Sequence, residues 1–212
     1  MVFLLILGGM AFQPAEFVFV RHCETLANAT GRYNSTTLNA FSKRGIAQTG
    51  KLTATLQKSE FDQILVSPSP RALKTIAPLL QRTDQTAEIW PELLEVCHQK
   101  GAERLKPPSP QVRFGDRIEW PTAFESIFMR REGGERYLLA PTYADGKRQI
   151  RMTQEMLISR FSGTGRRILI VGHSIHGGML ISMLTGNNPP LLENAKPIRL
   201  VESAPGRFAI KF

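Results

Sequence analysis

The chain has 212 residues, 42% of them apolar, which suffices for one packed domain and does not point to a membrane protein. Twenty-seven basic residues against 18 acidic ones give a formal charge of +9, a field that gathers anionic partners without separating a phosphorylated metabolite from nucleic acid. Cys23 and Cys97 are too few for a disulfide framework, and neither opens a Cys-x5-Arg loop, because Ala29 and Glu103 stand where the arginine would be. A Walker A loop and a His-Glu-x-x-His zinc motif are missing too, so the sequence calls for no metal and no cofactor.

At the N-terminus, Val2 to Ala11 resembles the apolar part of a secretory signal, and a cut after Ala11 would spare the first strand. The basic n-region of a signal is missing, and a start at Met10 leads through a short polar approach into that strand. The expectation is therefore a cytoplasmic protein with Met1 to Gly9 a misassigned start, export being the alternative. The segment is too short to span a bilayer.

Phe17-Val18-Phe19-Val20 reads as a buried strand that ends at Arg21-His22-Cys23-Glu24-Thr25. Thr25 to Ser35 is polar and rich in Gly and Asn, a loop or short helix. Lys43 to Lys58 has helical periodicity with Ile46, Leu52 and Leu56 inward. A strand over Gln63 to Val66 leads to Ser67-Pro68-Ser69-Pro70-Arg71-Ala72, and Arg71 to Leu80 reads as a helix that Pro78 should bend or end. Thr86 to Trp90 suits a third short strand before the acidic Pro91-Glu92-Leu93-Leu94-Glu95.

Gly101 to Gly146 changes texture, with many prolines and with Arg104, Arg113, Arg117, Arg130, Arg131 and Arg136. It reads as an irregular, cap-like insertion over the site, although single arginines there are usually solvated. Helical periodicity returns over Gln149 to Phe161, with Ile150, Met156, Leu157 and Phe161 on one side. The strand Arg167 to Val171 delivers Gly172-His173-Ser174, a helix runs from about Ile175 to Leu184, and Ile198 to Glu202 with Arg207 to Lys211 forms a terminal hairpin. The predicted class is α/β, a single domain of three layers with a mixed, mostly parallel sheet and helices on both faces. Three strand ends then each present a basic residue where such sheets bind ligands.

Taken in order, Arg21-His22-Cys23-Glu24-Thr25, Ser67 to Ala72, Glu92 to Glu95 and Val171-Gly172-His173-Ser174 resemble the histidine phosphatase superfamily, in its phosphoglycerate-mutase-like branch. Leu38 to Gln48, with its Gly and Gln before the first long helix, and Gly133-Gly134-Glu135 before a late helix extend the resemblance. It implies that His22 is a nucleophile forming phosphohistidine, with its other ring nitrogen held by an acceptor such as a backbone carbonyl. Arg21 and Arg71 would grip phosphoryl oxygens with their planar forks, joined by His173, by Asn28 and by the Ser174 amide at a helix start.

Glu95 is the implied proton donor and later base; Glu92 lies close enough to compete, while Glu24 suits the loop's turn better. The family's glycine after this glutamate is missing, and Cys23 replaces the glycine of the first motif. His173, thirteen residues before Gly186, has the family's spacing, which leaves His176 a supporting place one turn into the helix. His173 and His176 as a metal pair lack further ligands, and His22-Cys23-Glu24 lacks the second half of a zinc deaminase site.

These residues point to a metal-independent phosphomonoesterase for a small phosphorylated metabolite, without nucleic-acid or membrane partners. Mutase-type phosphoryl transfer and a non-catalytic phospho-ligand binder are the alternatives.

Overall fold

Alternation along the strands decides the layering, since successive side chains of a strand point to opposite faces. The computed structural model describes residues 11–57, 60–96, 115–138 and 142–211. Its elements are β1 (Glu16–Arg21), α1 (Leu26–Thr30), α2 (Lys43–Leu56), β2 (Gln63–Val66), α3 (Pro70–Thr83), β3 (Ala87–Ile89), β4 (Phe128–Arg130), α4 (Tyr143–Phe161), β5 (Arg167–Gly172), α5 (Ser174–Thr185), β6 (Ile198–Ala204) and β7 (Arg207–Lys211). They build one seven-stranded sheet in the order β4-β3-β2-β5-β1-β6-β7. The first five strands in that order run parallel, and β6 and β7 close the edge antiparallel.

Val18, Val20, Ile64, Val66, Leu169 and Val171 pack with Leu52 and Leu56 of α2 and with Leu73 and Ile76 of α3. Their neighbours Phe17, Phe19, Leu65, Ile168 and Ile170 pack on the opposite face with Leu157 and Phe161 of α4 and Leu180, Ile181 and Leu184 of α5. Phe17 stacks on Phe208 at 4.5 Å between ring centres and meets Phe161 edge-on at 6.3 Å. The expected mixed, three-layer α/β fold is the fold observed. Register then positions the site: Arg21 lies opposite Gly172, and Val66 opposite Val171. The residues that follow, His22, Ser67 and His173, therefore emerge side by side at the carboxyl edge.

Four expectations are revised. Ile46 is 65% exposed rather than inward; it stands about 120° around the helix from Leu52 and about 80° from Leu56, at the edge of the strip that they bury. Pro78 does not end α3, which continues to Thr83; the burial of Ala77, Leu79 and Leu80 around it offsets a penalty of about 3 kcal/mol. α4 begins at Tyr143, earlier than expected, with Thr142 and Asp145 forming a capping box. The Arg-rich insertion is not irregular throughout, because β4 extends the sheet parallel to β3 and Ile118, Ile127, Phe128 and Tyr137 are buried in the α2/α3 side of the core.

Residues 101–114 of the insertion, Cys97 and His98, and the N-terminal segment on which the two localisation readings turn lie outside the described residues. Among the described residues, no helix is long and apolar enough to cross a membrane.

Two glycines of α2 separate packing from propensity. A methyl group on Gly45 would collide with the Glu24 carbonyl oxygen, whereas one on Gly50 would meet nothing within 4 Å. Gly45→Ala should destabilise the fold by about 1–3 kcal/mol, and Gly50→Ala should stabilise it by about 0.5–1 kcal/mol. Urea unfolding of the two variants checks both signs.

Candidate active site

Backbone hydrogen bonds from His22 N to Gly172 O and from Ser67 N to Val171 O, each 3.0 Å, continue the sheet past its formal ends. The His22 and His173 rings stand 5.3 Å apart at 62°, both buried. Arg71 enters from the first turn of α3 and lies between them. Its Nε donates to His22 Nε2 at 3.2 Å, and its Nη2 donates to His173 Nδ1 at 3.1 Å.

These partners assign the tautomers, because a guanidinium only donates and a carbonyl only accepts. His22 Nδ1 lies 2.8 Å from the Cys23 carbonyl oxygen, so Nδ1 carries the proton and Nε2 presents a lone pair. In His173, Nδ1 carries the lone pair and Nε2–H donates to Ser67 Oγ at 2.8 Å. Burial, reinforced by the Arg71 charge, holds both imidazoles well below their ordinary range. Both rings are therefore neutral at physiological pH. Burial also lowers Arg71 to about 10, which leaves it cationic.

Each arginine keeps donor capacity in reserve. Arg21 Nη1 donates to the Leu192 carbonyl at 2.8 Å, but Arg21 Nε and Arg71 Nη1 are buried without a hydrogen-bond partner among the described residues. Unpaired buried donors are costly and rare, and here two of them lie on arginines whose charges act on both imidazoles, so the groups outline a notch with unused donors.

Glu95 reaches the same notch. Its Oε2 accepts from the amides of Ser174 and Ile175 at 3.1 and 3.2 Å, and its Oε1 accepts from His176 N at 2.8 Å. A carboxylate on three amides at a helix start is the favoured pairing of charge and dipole, and its charge also acts on Arg21 and Arg71. The Ser174 amide, expected to meet a phosphate, thus donates to Glu95. Glu92 is held elsewhere: Arg131 binds its Oε1, and burial pushes its carboxyl up. Glu24 accepts from Ser42 Oγ at 2.7 Å and orients the loop.

Asn28 Oδ1 is surrounded by donors, namely Thr25 N, Thr25 Oγ1 and Asn194 Nδ2, which leaves the Asn28 Nδ2 as its outward donor. The Cys23 thiol does not enter the notch. It accepts from Thr49 Oγ1 at 3.3 Å, and burial raises its pKa, the condition of an inert cysteine. His176 is fully buried, with Nε2 3.2 Å from Thr153 Oγ1.

Three contributors escaped the sequence. Ser67 lies in a recognised motif, yet its bond to His173 has no local signature, and Thr75 and Asn194 reach the His22 loop from distant elements. A separate cleft of about 430 Å³ between Trp90, Arg131, Met156 and Arg160 shares no lining residue with the histidine pair.

Two histidines, two arginines and a glutamate gather at the carboxyl edge of a mostly parallel sheet in an α/β protein. The profile of the histidine phosphatase superfamily (branch 1) matches residues 17–198, and the chain belongs to that superfamily. An adenosylcobalamin/alpha-ribazole phosphatase of Salmonella typhi is 36% identical over 77 residues, a stretch covering 36% of this chain and 38% of that protein. The chain thus matches well under half the length of this relative.

Among solved structures, an alpha-ribazole phosphatase from Shigella flexneri shares the fold with a TM-score of 0.61 at 20% identity, over 92% of this chain and 94% of that one. A mycobacterial glucosyl-3-phosphoglycerate phosphatase complexed with VO3 gives 0.61 at 17% identity, over 93% and 97%.

Burial of the histidines sets a pH dependence of stability. His176 is lowered from 6.5 to about 4 by burial, so between those values the unfolded chain binds protons that the native chain does not. Stability is therefore complete above 6.5 and is lost as pH falls toward 4, by roughly 3 kcal/mol for this group. His22 and His173 act in the same direction. Urea unfolding at pH 7 and pH 5 should show a drop that is smaller in His176→Gln.

Proposed function

We propose that the protein is a metal-independent phosphomonoesterase that hydrolyses a small phosphorylated metabolite through phosphohistidine. The observation that carries this reading is the tautomer of His22, whose Nδ1–H is tied to the Cys23 carbonyl while Nε2 offers its lone pair to Arg71, with the Arg21 charge also acting on the ring. A neutral buried imidazole needs no deprotonation before attack, and the arginines supply the positive charge that spreading negative charge on the equatorial oxygens requires.

In the proposed cycle the phosphate draws Arg71 from the rings onto its own oxygens, and Arg21 Nε and Asn28 Nδ2 add donors. His22 Nε2 forms the N–P bond as the ester P–O bond breaks, and the electron pair leaves on the alcohol oxygen, which takes a proton from Glu95, itself protonated from solvent once it has left the α5 amides. Water then gives a proton to the Glu95 carboxylate and attacks phosphorus; the N–P bond breaks, its pair returns to Nε2, and inorganic phosphate departs. His22 Nδ1–H stays on Cys23 throughout.

Glu95 rather than Glu92 fills the acid and base role, because Glu92 is committed to Arg131. Glu95 acts after turning off the α5 amides, which then donate to phosphate oxygens, as foreseen for Ser174. His173, an acceptor toward Arg71 in the resting arrangement, holds that guanidinium in place and becomes the foreseen phosphate donor only by taking up a proton at Nδ1, which the phosphate's negative charge favours once Arg71 moves.

Hydrolysis of p-nitrophenyl phosphate should persist in excess EDTA and fall at least about a thousandfold in His22→Ala. Glu95→Gln should slow release of a poor alkoxide leaving group by about 10²- to 10⁴-fold, and should slow the first step with p-nitrophenolate, a good leaving group, much less. Turnover that survives His22→Ala, or that EDTA abolishes, contradicts the proposal. The substrate panel should include alpha-ribazole-5'-phosphate and glucosyl-3-phosphoglycerate, on which the similar proteins' names bear, and 3-phosphoglycerate with its bisphosphate to detect mutase transfer.

A further inference from the structure

The end of β1 is clamped by a segment from the far end of the chain. Arg21 Nη1 donates to Leu192 O at 2.8 Å, the Ala195 amide donates to Arg21 O at 2.9 Å, and Asn194 Nδ2 donates to the His22 carbonyl at 2.8 Å. The same Asn194 Nδ2 lies 3.3 Å from Asn28 Oδ1. Gln48 Nε2 supports the segment by donating to Asn194 O at 3.3 Å, and Gln48 Oε1 accepts from Glu24 N at 2.8 Å. Ala195 has φ of +57°, a left-handed conformation that costs free energy for any residue with a β-carbon. Such strain persists where surrounding contacts over-determine it, and it clusters at functional sites.

We propose that Asn194 is a positioning residue for phosphoryl transfer, its side-chain amide fixing both the peptide plane that orients His22 and the direction in which Asn28 presents its N–H groups. The inference rests on the reading of the site given above and adds a residue to it.

Two geometric facts carry the proposal. The His22–Cys23 peptide group is pinned at both ends, its carbonyl by Asn194 and its N–H by Thr75 Oγ1 at 2.9 Å. That plane sets where the Cys23 residue, and with it the carbonyl accepting His22 Nδ1–H, is held. A rotation there would swing the ring and misalign Nε2 for in-line attack. The second fact concerns Asn28. With Thr25 N, Thr25 Oγ1 and Asn194 Nδ2 all directed at its oxygen, a flipped amide would oppose donor to donor. Asn194 therefore helps hold the Asn28 nitrogen toward the anion notch.

The test measures two quantities in the full chain: the rapid-quench rate constant for phosphohistidine formation, and the dissociation constant of inorganic phosphate. Variants are Asn194→Ala and the near-isosteric Asn194→Asp, which turns the bridging donor into an acceptor, each alone and combined with Asn28→Ala. Both single variants should slow phosphohistidine formation by about tenfold to a hundredfold, the size expected for a small displacement of a nucleophile, with Asn194→Asp the slower. Both should weaken phosphate binding.

In the Asn28→Ala background the effect on phosphate binding should disappear while the effect on rate remains. A purely structural role predicts neither this split nor the order of the two variants. Unchanged rate and binding in Asn194→Asp would overturn the positioning role alone. A native protein that binds phosphate yet forms no phosphohistidine would overturn the reading of the site and this proposal with it.

Discussion

The site depends on one buried guanidinium. Arg71 spans two neutral imidazoles that would otherwise face each other with unsatisfied lone pairs in a desolvated notch. Burial keeps both rings from taking up protons, and a cation in that position reinforces it, since a further positive charge nearby would be disfavoured. Glu95 offsets part of the positive charge of Arg21 and Arg71. In the proposed function, a phosphate would replace the partners of these groups and engage the unused donors Arg21 Nε and Arg71 Nη1.

The rest of the fold serves that placement. Parallel pairing of β1, β5 and β2 brings three strand ends into register, and α5 begins at once after His173, so its first amides hold Glu95, whose charge also acts on both arginines. Glu95 reaches those amides because Pro91–Leu93 forms a short 3-10 turn, and Gln149 and Thr153 of α4 tie down the Glu92 carbonyl. The two candidate acids are thereby separated. Glu92 faces Arg131, and Glu95, three residues on, faces the notch.

Much of this was legible in the sequence, because apolar alternation and strand-end motifs report local geometry. β1, β2 and β5 read clearly, and the motifs placed at their ends proved to be neighbours. β4 did not, because Phe128–Arg130 is three residues long and is specified by its pairing with β3 rather than by its own pattern. Ile46 was misread because the buried face of α2 is set by where Leu52 and Leu56 meet the sheet. Ser67, Thr75 and Asn194 stayed hidden because their roles are hydrogen bonds between positions 52 to 172 residues apart, which no short pattern encodes. The engagement of the Ser174 amide by Glu95 is a tertiary outcome of the same kind.

The most direct test of the account is to react the native protein with a phosphomonoester, quench in alkali within the first turnover, and map the phosphoryl group by mass spectrometry. Phosphohistidine survives alkali, whereas phosphoserine and acyl phosphates do not survive it well. The account predicts close to one phosphoryl group per chain, located on His22 and attached through Nε2. A phosphoryl group on any other residue, or turnover with no covalent intermediate on rapid quenching, would contradict it.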